Sequence, residues 1–260
     1  MSDRDEWHAF AAFTPARVAL GRAGNGLPTS RMLEFQLAHA RARDAVQRPF
    51  DAKRIASALD RPGTLLLQTQ ATDRQNYLMN PDVGRSLSET SRASLERGSY
   101  DAALVIADGL SSTAIDAHGA ALAHLILSNL PTLNWAPVTI ASRGRVAIGD
   151  DIAQALGAQL GIVLIGERPG LSAADAVGIY LTFAPRPGVT TNSERNCISN
   201  VRPGGLALAD AALRLAWLVT AARKRRLTGI ELKEDALEVQ AIAEGRALAR
   251  CESTPRLGGR

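Results

Sequence analysis

Cysteine is almost missing from this chain. Of 260 residues only Cys197 and Cys251 are cysteines, far apart, which excludes both a disulfide framework and a cysteine-built zinc cluster. Aromatic residues are scarce at 4%, so the core must be built from Leu, Ala, Ile and Val. Lysine occurs only at positions 53, 224 and 233, and arginine supplies the rest of the positive charge behind the net +4. No apolar run approaches the roughly 20 residues that span a bilayer. The N-terminus, MSDRDEWHAFAAF, begins acidic and lacks a basic stretch followed by an apolar one, so no signal peptide and a cytoplasmic location are expected. The densest basic cluster is Arg223-Lys224-Arg225-Arg226. It is short and carries no interleaved aromatics, so it reads as a helix C-terminus stopped at Gly229 rather than as a nucleic-acid or acidic-lipid site.

What remains is an ordinary globular composition, 46% hydrophobic, in a chain long enough for one or two domains. Residues 1–17 read as an arm or a short helix. Gly21, Gly24 and Gly26 form a permissive loop feeding a helix that starts near Thr29 or Ser30, either a good N-cap. That helix carries Leu33, Leu37, Ala40 and Ala45 on or near one face. A glycine loop before a helix can cradle an anion, but no Walker lysine and no Rossmann spacing occur, so a structural turn is favoured. Residues 51–59 predict a short helix, and Thr64–Thr69 a short strand. Residues 73–88 read as irregular. Ser86 and Glu89 have capping-box spacing for a helix through Glu96.

From Tyr100 strands alternate with helices. Strands are expected at Tyr100–Ala107, Pro137–Ser142, Leu160–Ile165 and Val177–Phe183, with a short one at Arg145–Ile148. Helices are expected near 112–127, 150–156, 205–227 and 232–250. The alternation predicts an α/β fold, a mostly parallel, open, Rossmann-like sheet with flanking helices. A smaller, mainly helical N-terminal lobe (1–98) precedes the α/β domain (99–232), and 233–260 form a C-terminal extension.

In such a sheet ligands bind beyond the carboxyl ends of the strands. Three loops are expected on that rim: Asp108-Gly-Leu-Ser-Ser112, Gly166-Glu-Arg-Pro-Gly170 and Ala184-Pro-Arg-Pro-Gly188. They would gather Asp108, Glu167, Arg168 and Arg186. Two carboxylates are too few to specify a metal. Ser111 and Ser112 have no nucleophile elbow around them, and the four histidines show no ligand spacing. Cys197 beside Arg195 reads either as an activated thiolate or as a packed small residue. The rim therefore looks like a binding surface without a complete catalytic set.

Several stretches in order, ALGRAGNGLPTSRMLEFQLAHARARDAV, VIADGLSSTAIDAH, LIGERPGLS, YLTFAPRPG and ERNCISNVRPGGL, together resemble the small subunit of ethanolamine ammonia-lyase. The resemblance covers roughly residues 15–232. It implies an adenosylcobalamin-dependent lyase that converts ethanolamine to acetaldehyde and ammonia, with substrate and catalytic residues on a large TIM-barrel partner. It also implies a higher hetero-oligomer, inactivity of this chain alone, and a home in the cytoplasm or a bacterial microcompartment. By motif, Glu167, Cys197 and Val146 correspond to cobalamin contacts. The plainer alternative for Glu167 is a loop cap that satisfies nearby backbone N–H groups, and for Val146 a core residue. Asp108, Arg168 and Arg186 stand as further rim candidates for cofactor or partner. Asp116-x-His118-Gly119 is close to the Asp-x-His-x-x-Gly cobalamin signature. Position 121 is Ala, however, and the segment reads as helix, so His118 is expected to be a plain helix residue. The competing reading is a free-standing small-ligand or nucleotide-binding α/β domain.

Overall fold

Six strands form a single sheet. They are β1 (Leu65–Gln68), β2 (Tyr100–Ala107), β3 (Thr139–Ser142), β4 (Ala158–Gly166), β5 (Val177–Phe183) and β6 (Arg195–Val201). The structure is a computed structural model and describes residues 6–14 and 16–233. The helix expected at 232–250 and the C-terminal extension lie almost wholly outside the described residues. Spatial order is β1-β3-β2-β4-β5-β6. β1 to β4 are mutually parallel, but β5 runs antiparallel to β4 and β6 antiparallel to β5. The sheet is therefore mixed, not mostly parallel as expected. The reason is local: only ten residues separate Gly166 from Val177, too few for the crossover that a parallel neighbour requires, so the chain turns back. β1 comes from the first 98 residues and forms an edge of this same sheet through its pairing with β3.

The helices are α1 (Thr29–Gln47), α2 (Ala52–Leu59), α3 (Arg74–Met79), α4 (Glu89–Ala93), α5 (Ser112–Ala114), α6 (Ala120–Asn129), α7 (Ile148–Leu156) and α8 (Leu208–Arg225). A π-helical turn, Ile115–Gly119, joins α5 to α6, and a 3-10 helix spans Glu6–Phe13. Several expectations shift. Pro28, not Thr29 or Ser30, precedes α1 and offers no side-chain cap. Ser88, not Ser86, caps α4 by accepting from the Ser91 N–H. Part of the stretch taken as irregular is α3, capped by Asp73. Residues 145–147 lead into α7 instead of forming a strand.

Period-two alternation sorts the strands into two layers. Ala102, Leu104, Ile106, Ile140, Ile162, Leu164, Ile179, Leu181 and Ile198 face α2, α6 and α8. Ala103, Val105, Ala107, Ala141, Val163 and Ile165 face α7. α7 sits close because both surfaces carry glycine. A Cβ on Gly149 would lie 2.1 Å from the Val163 Cγ2, and one on Gly161 would lie 3.3 Å from the Gly149 carbonyl. α7 packs mainly over β2 and β4. Beyond it, the same face of β5 and β6 carries Tyr180 and the exposed Cys197.

The expected buried face of α1 is not buried. Only Ala45 is enclosed, while Met32, Leu33, Phe35 and Leu37 are 47%, 57%, 46% and 52% exposed. The helix is anchored near its C-terminal end, against α5.

Candidate functional site

β5 and its neighbours build the site. In VGIYLTF the odd positions Val177, Ile179 and Leu181 are buried under the α8 side. Gly178, Tyr180 and Thr182 therefore point to the opposite face. Register then makes a lateral row, Val105–Val163–Tyr180–Cys197, across four strands. Tyr180 is half-buried against the α7-side layer, and Cys197 ends the row at the surface.

Glu167 follows β4 directly. Its N–H donates to the Ala176 carbonyl at 3.0 Å, closing the β4–β5 connection. Its carboxylate accepts the Asn200 N–H, 3.2 Å from Oε1 and 3.3 Å from Oε2. Asn200 sits at φ 57°, so β6 turns there and aims its N–H at the carboxylate. Glu167 thus does have the loop-capping role that was its plain alternative. One N–H leaves spare lone pairs on a carboxylate, which can accept about four hydrogen bonds. The floor beside it is Gly178, where a Cβ would stand 3.0 Å from Glu167 Oε1 and 3.1 Å from Tyr180 Cε2. Glycine keeps that floor low.

The three polar groups influence one another. Burial pushes the Cys197 thiol up, the interacting Tyr180 hydroxyl pulls it down, and the Glu167 carboxylate pushes it up again. Burial also raises Tyr180, with Cys197 and Glu167 adding to the rise. These directions run against the activated-thiolate reading of Cys197. Arg195 does not activate it. That side chain is 4% exposed and ion-paired with Asp150 of α7, and it also donates to Asn192 Oδ1 at 3.2 Å. Burial raises Asp150 and Arg195 draws it back. The pair ties β6 to α7.

Val146 lies just before α7 and packs on the apolar layer that also receives Tyr180. Of the expected contacts, Glu167 and Cys197 are brought together, with Val146 bordering the same face from the α7 side. Arg168 is exposed on the loop after Glu167. Arg186 is not on this rim. Because β5 is antiparallel, its carboxyl end lies beside the amino end of β4, where the Ala184 N–H donates to the Gln159 carbonyl. Arg186 pairs there with Glu194 at 2.9 Å.

Asp108 does stand at the carboxyl edge, where the Leu110 N–H donates to the Gly166 carbonyl at 2.9 Å. Its role is internal. It is 2% exposed, paired with Arg74 at 3.2 Å, and accepts the Gly144 N–H at 3.1 Å. Burial raises its carboxyl to about 6 against the pull of Arg74. Ser111 caps α5 and donates to the Ala174 carbonyl, and Ser112 donates to the Arg48 carbonyl, so neither is a nucleophile. Asp116 is held by Arg48 and Arg54. His118, in the π-turn, is 3.5 Å from Asp175. That turn contributes Ile115 to the α8-side core, on the other face of the sheet from Cys197. No cluster of three metal-binding side chains occurs among the described residues.

Reasoning from sequence missed β6, Tyr180 and Asn200. Tyr180 was readable from the alternation of β5. β6 was not, because RNCISNV holds Asn and Ser where strands favour branched or aromatic residues.

The family model described as "Ethanolamine ammonia-lyase light chain (EutC)" matches residues 4–233. The chain is 47% identical over 251 residues to a curated protein of Azotobacter vinelandii, covering 91% of this chain and 93% of the relative. It is 48% identical over 243 residues to one of Xanthomonas campestris pv. campestris, covering 90% and 89%. It is 46% identical over 253 residues to one of Ralstonia nicotianae, covering 94% and 93%. All three relatives are named ethanolamine ammonia-lyase small subunit.

Proposed function

The chain belongs to the ethanolamine ammonia-lyase light-chain family, and on that premise we propose that it holds adenosylcobalamin against a larger catalytic subunit. The observation that carries the reading is the meeting of Glu167 and Cys197 on a sheet face that α7 leaves open. The donor set suits the group. A corrin ring is broad, flat and rimmed with amides. Gly178 offers a low floor, Cys197 and Tyr180 offer polarisable and aromatic contact, and Glu167 keeps lone pairs for amide N–H groups. Val146 adds apolar contact from the α7 side. Arg168, exposed one residue on, is available to cofactor or partner.

Bound adenosylcobalamin supplies the radical chemistry that turns ethanolamine into acetaldehyde and ammonia. This chain binds and orients the cofactor and keeps water from the face it covers. At the patch the Glu167 carboxylate pushes the Cys197 thiol up rather than activating it, so substrate binding and proton transfer are assigned to the partner, and this chain alone is inactive. His118 lies in the helix layer on the other side of the sheet from the patch.

A small subunit needs surface for its partner. The exposed Met32, Leu33, Phe35 and Leu37 on α1 supply an apolar one, and they disfavour the free-standing nucleotide-binding domain. No described helix is long and apolar enough to cross a membrane. The assembled enzyme works in the cytoplasm or within a protein-shelled microcompartment, as a higher hetero-oligomer. The test is co-purification with the large subunit and an assay for cobalamin-dependent acetaldehyde release. The complex should turn over and this chain alone should not; turnover by this chain alone would sink the reading.

A further inference from the structure

Beside the patch lies a cavity of about 390 Å³. Arg85, Arg145 and Arg195 line it with Thr190, Thr191 and Asn192, and no carboxylate does. Val146 is also in its wall. Arg195 and Cys197 are two apart on β6 and so project from the same face of the sheet.

The three arginines differ in how far their charge is used. Arg195 is committed to Asp150, Asn192 and the Thr190 carbonyl. Arg85 makes an exposed pair with Asp82 at 3.2 Å. Arg145 makes no ion pair among the described residues. Its guanidinium stacks 4.2 Å from the Tyr77 ring centroid, and Nη2 donates to the Tyr77 carbonyl at 3.1 Å. The Nε of Arg145 and that of Arg195 are both buried without an acceptor. Buried donors are nearly always satisfied in a native protein, so two orphans in the wall of one cavity call for an explanation. The backbone adds to the count. The N–H groups of Ile148, Gly149 and Asp150 bond back to residues 145–147, leaving those of Val146 and Ala147 ahead of the helical ladder.

We infer that this cavity binds the phosphate ester of a small organic molecule, with Arg145 as its main cation and Arg85 and the Asn192 amide as flanking donors. A guanidinium presents a planar fork that matches phosphate oxygens two at a time. The volume falls in the range of small-molecule sites and is generous for an inorganic ion. The source of the ester rests on the proposed cobalamin role. Val146 borders both the cavity and the corrin patch, so the ester is the phosphodiester of the cofactor's nucleotide tail. An independent phosphate ester would use the same donors.

The experiment measures binding, not turnover. The complex with the large subunit is titrated, by absorbance, with cyanocobalamin and with dicyanocobinamide, which lacks the phosphate and nucleotide. Arg145→Gln should weaken cyanocobalamin roughly tenfold to a hundredfold, the range for losing a hydrogen bond to a charged group, and leave cobinamide unchanged. Arg145→Lys should restore part of the loss. Arg85→Gln alters an exposed side chain and should show a smaller loss in the same direction without disturbing the fold. If the wild-type complex binds neither corrinoid, the cobalamin reading has failed by itself. Inorganic phosphate then becomes the probe, and binding seen by calorimetry and lost in Arg145→Gln keeps the phosphate site with an independent source. Equal weakening of both corrinoids overturns the inference. So does unchanged binding of cyanocobalamin and phosphate in both glutamine variants.

Discussion

Tyr180 and Cys197 stand directly opposite each other on the antiparallel strands β5 and β6, the phenol half-buried and the thiol at the surface. With Glu167 beside them, the Tyr180 hydroxyl pulls the thiol down and the carboxylate pushes it up.

The first prediction uses those directions. Cys197 should alkylate slowly for a surface thiol at neutral pH, because desolvation by its neighbours and the Glu167 carboxylate both push it up. In a Cys251→Ser background, Tyr180→Phe removes the group that pulls the thiol down, so its apparent pKa should rise. Glu167→Gln removes a group that pushes it up, so the pKa should fall. The pH–rate profile of iodoacetamide labelling reads both. Shifts in the same direction would contradict the arrangement.

Glu167 has two duties, and they can be separated. Glu167→Ala deprives the Asn200 N–H of its acceptor and should reduce fold stability by about 1 kcal/mol. Gly178→Ala leaves that bond in place but crowds Glu167 Oε1, 3.0 Å from the new Cβ. Both should weaken cyanocobalamin binding by the complex, and urea melts should show a stability loss mainly in the first. Unchanged affinity in both would reduce Glu167 to a cap.

Asp108 predicts a pH dependence. Burial raises its carboxyl to about 6, so the folded chain favours the protonated form. The stability linked to it is complete below about pH 4 and declines as pH rises through about 6, by about 3 kcal/mol in all. Urea melts across that window should fall more steeply for wild type than for Asp108→Asn. Parallel curves would show that Arg74 compensates the buried charge fully.

The exposed side of α1 should govern assembly. Leu33→Glu with Leu37→Glu touches no core residue and should leave the helical circular dichroism signal intact. It should make the isolated chain more soluble and weaken its capture by the large subunit. Undiminished co-purification would mean that this face is not the contact.

Much of this was legible in advance. Tyr100–Ala107 and Val177–Phe183 were readable to the residue because they are predominantly apolar stretches between turn signals. Alternation in Val177–Phe183 already put Tyr180 and Gly178 on a common face. The loop motifs around Glu167 and Cys197 carried the family, since their charged, glycine and proline residues are distinctive at fixed spacing. α1 misled for the opposite reason. Its apolar residues read as a core face, but amphipathicity says only that a surface must be covered, not by which chain.

The sequence by itself determined five of the six strands and the two loop motifs, all of which depend on neighbours a few residues away. The tertiary structure alone decided strand direction and register. Those come from pairing between segments far apart, and a reversal of one strand moves its following loop to the other edge. That reversal sent Arg186 away from the rim, and the return of β6 delivered Cys197 to Tyr180 and Asn200 to Glu167.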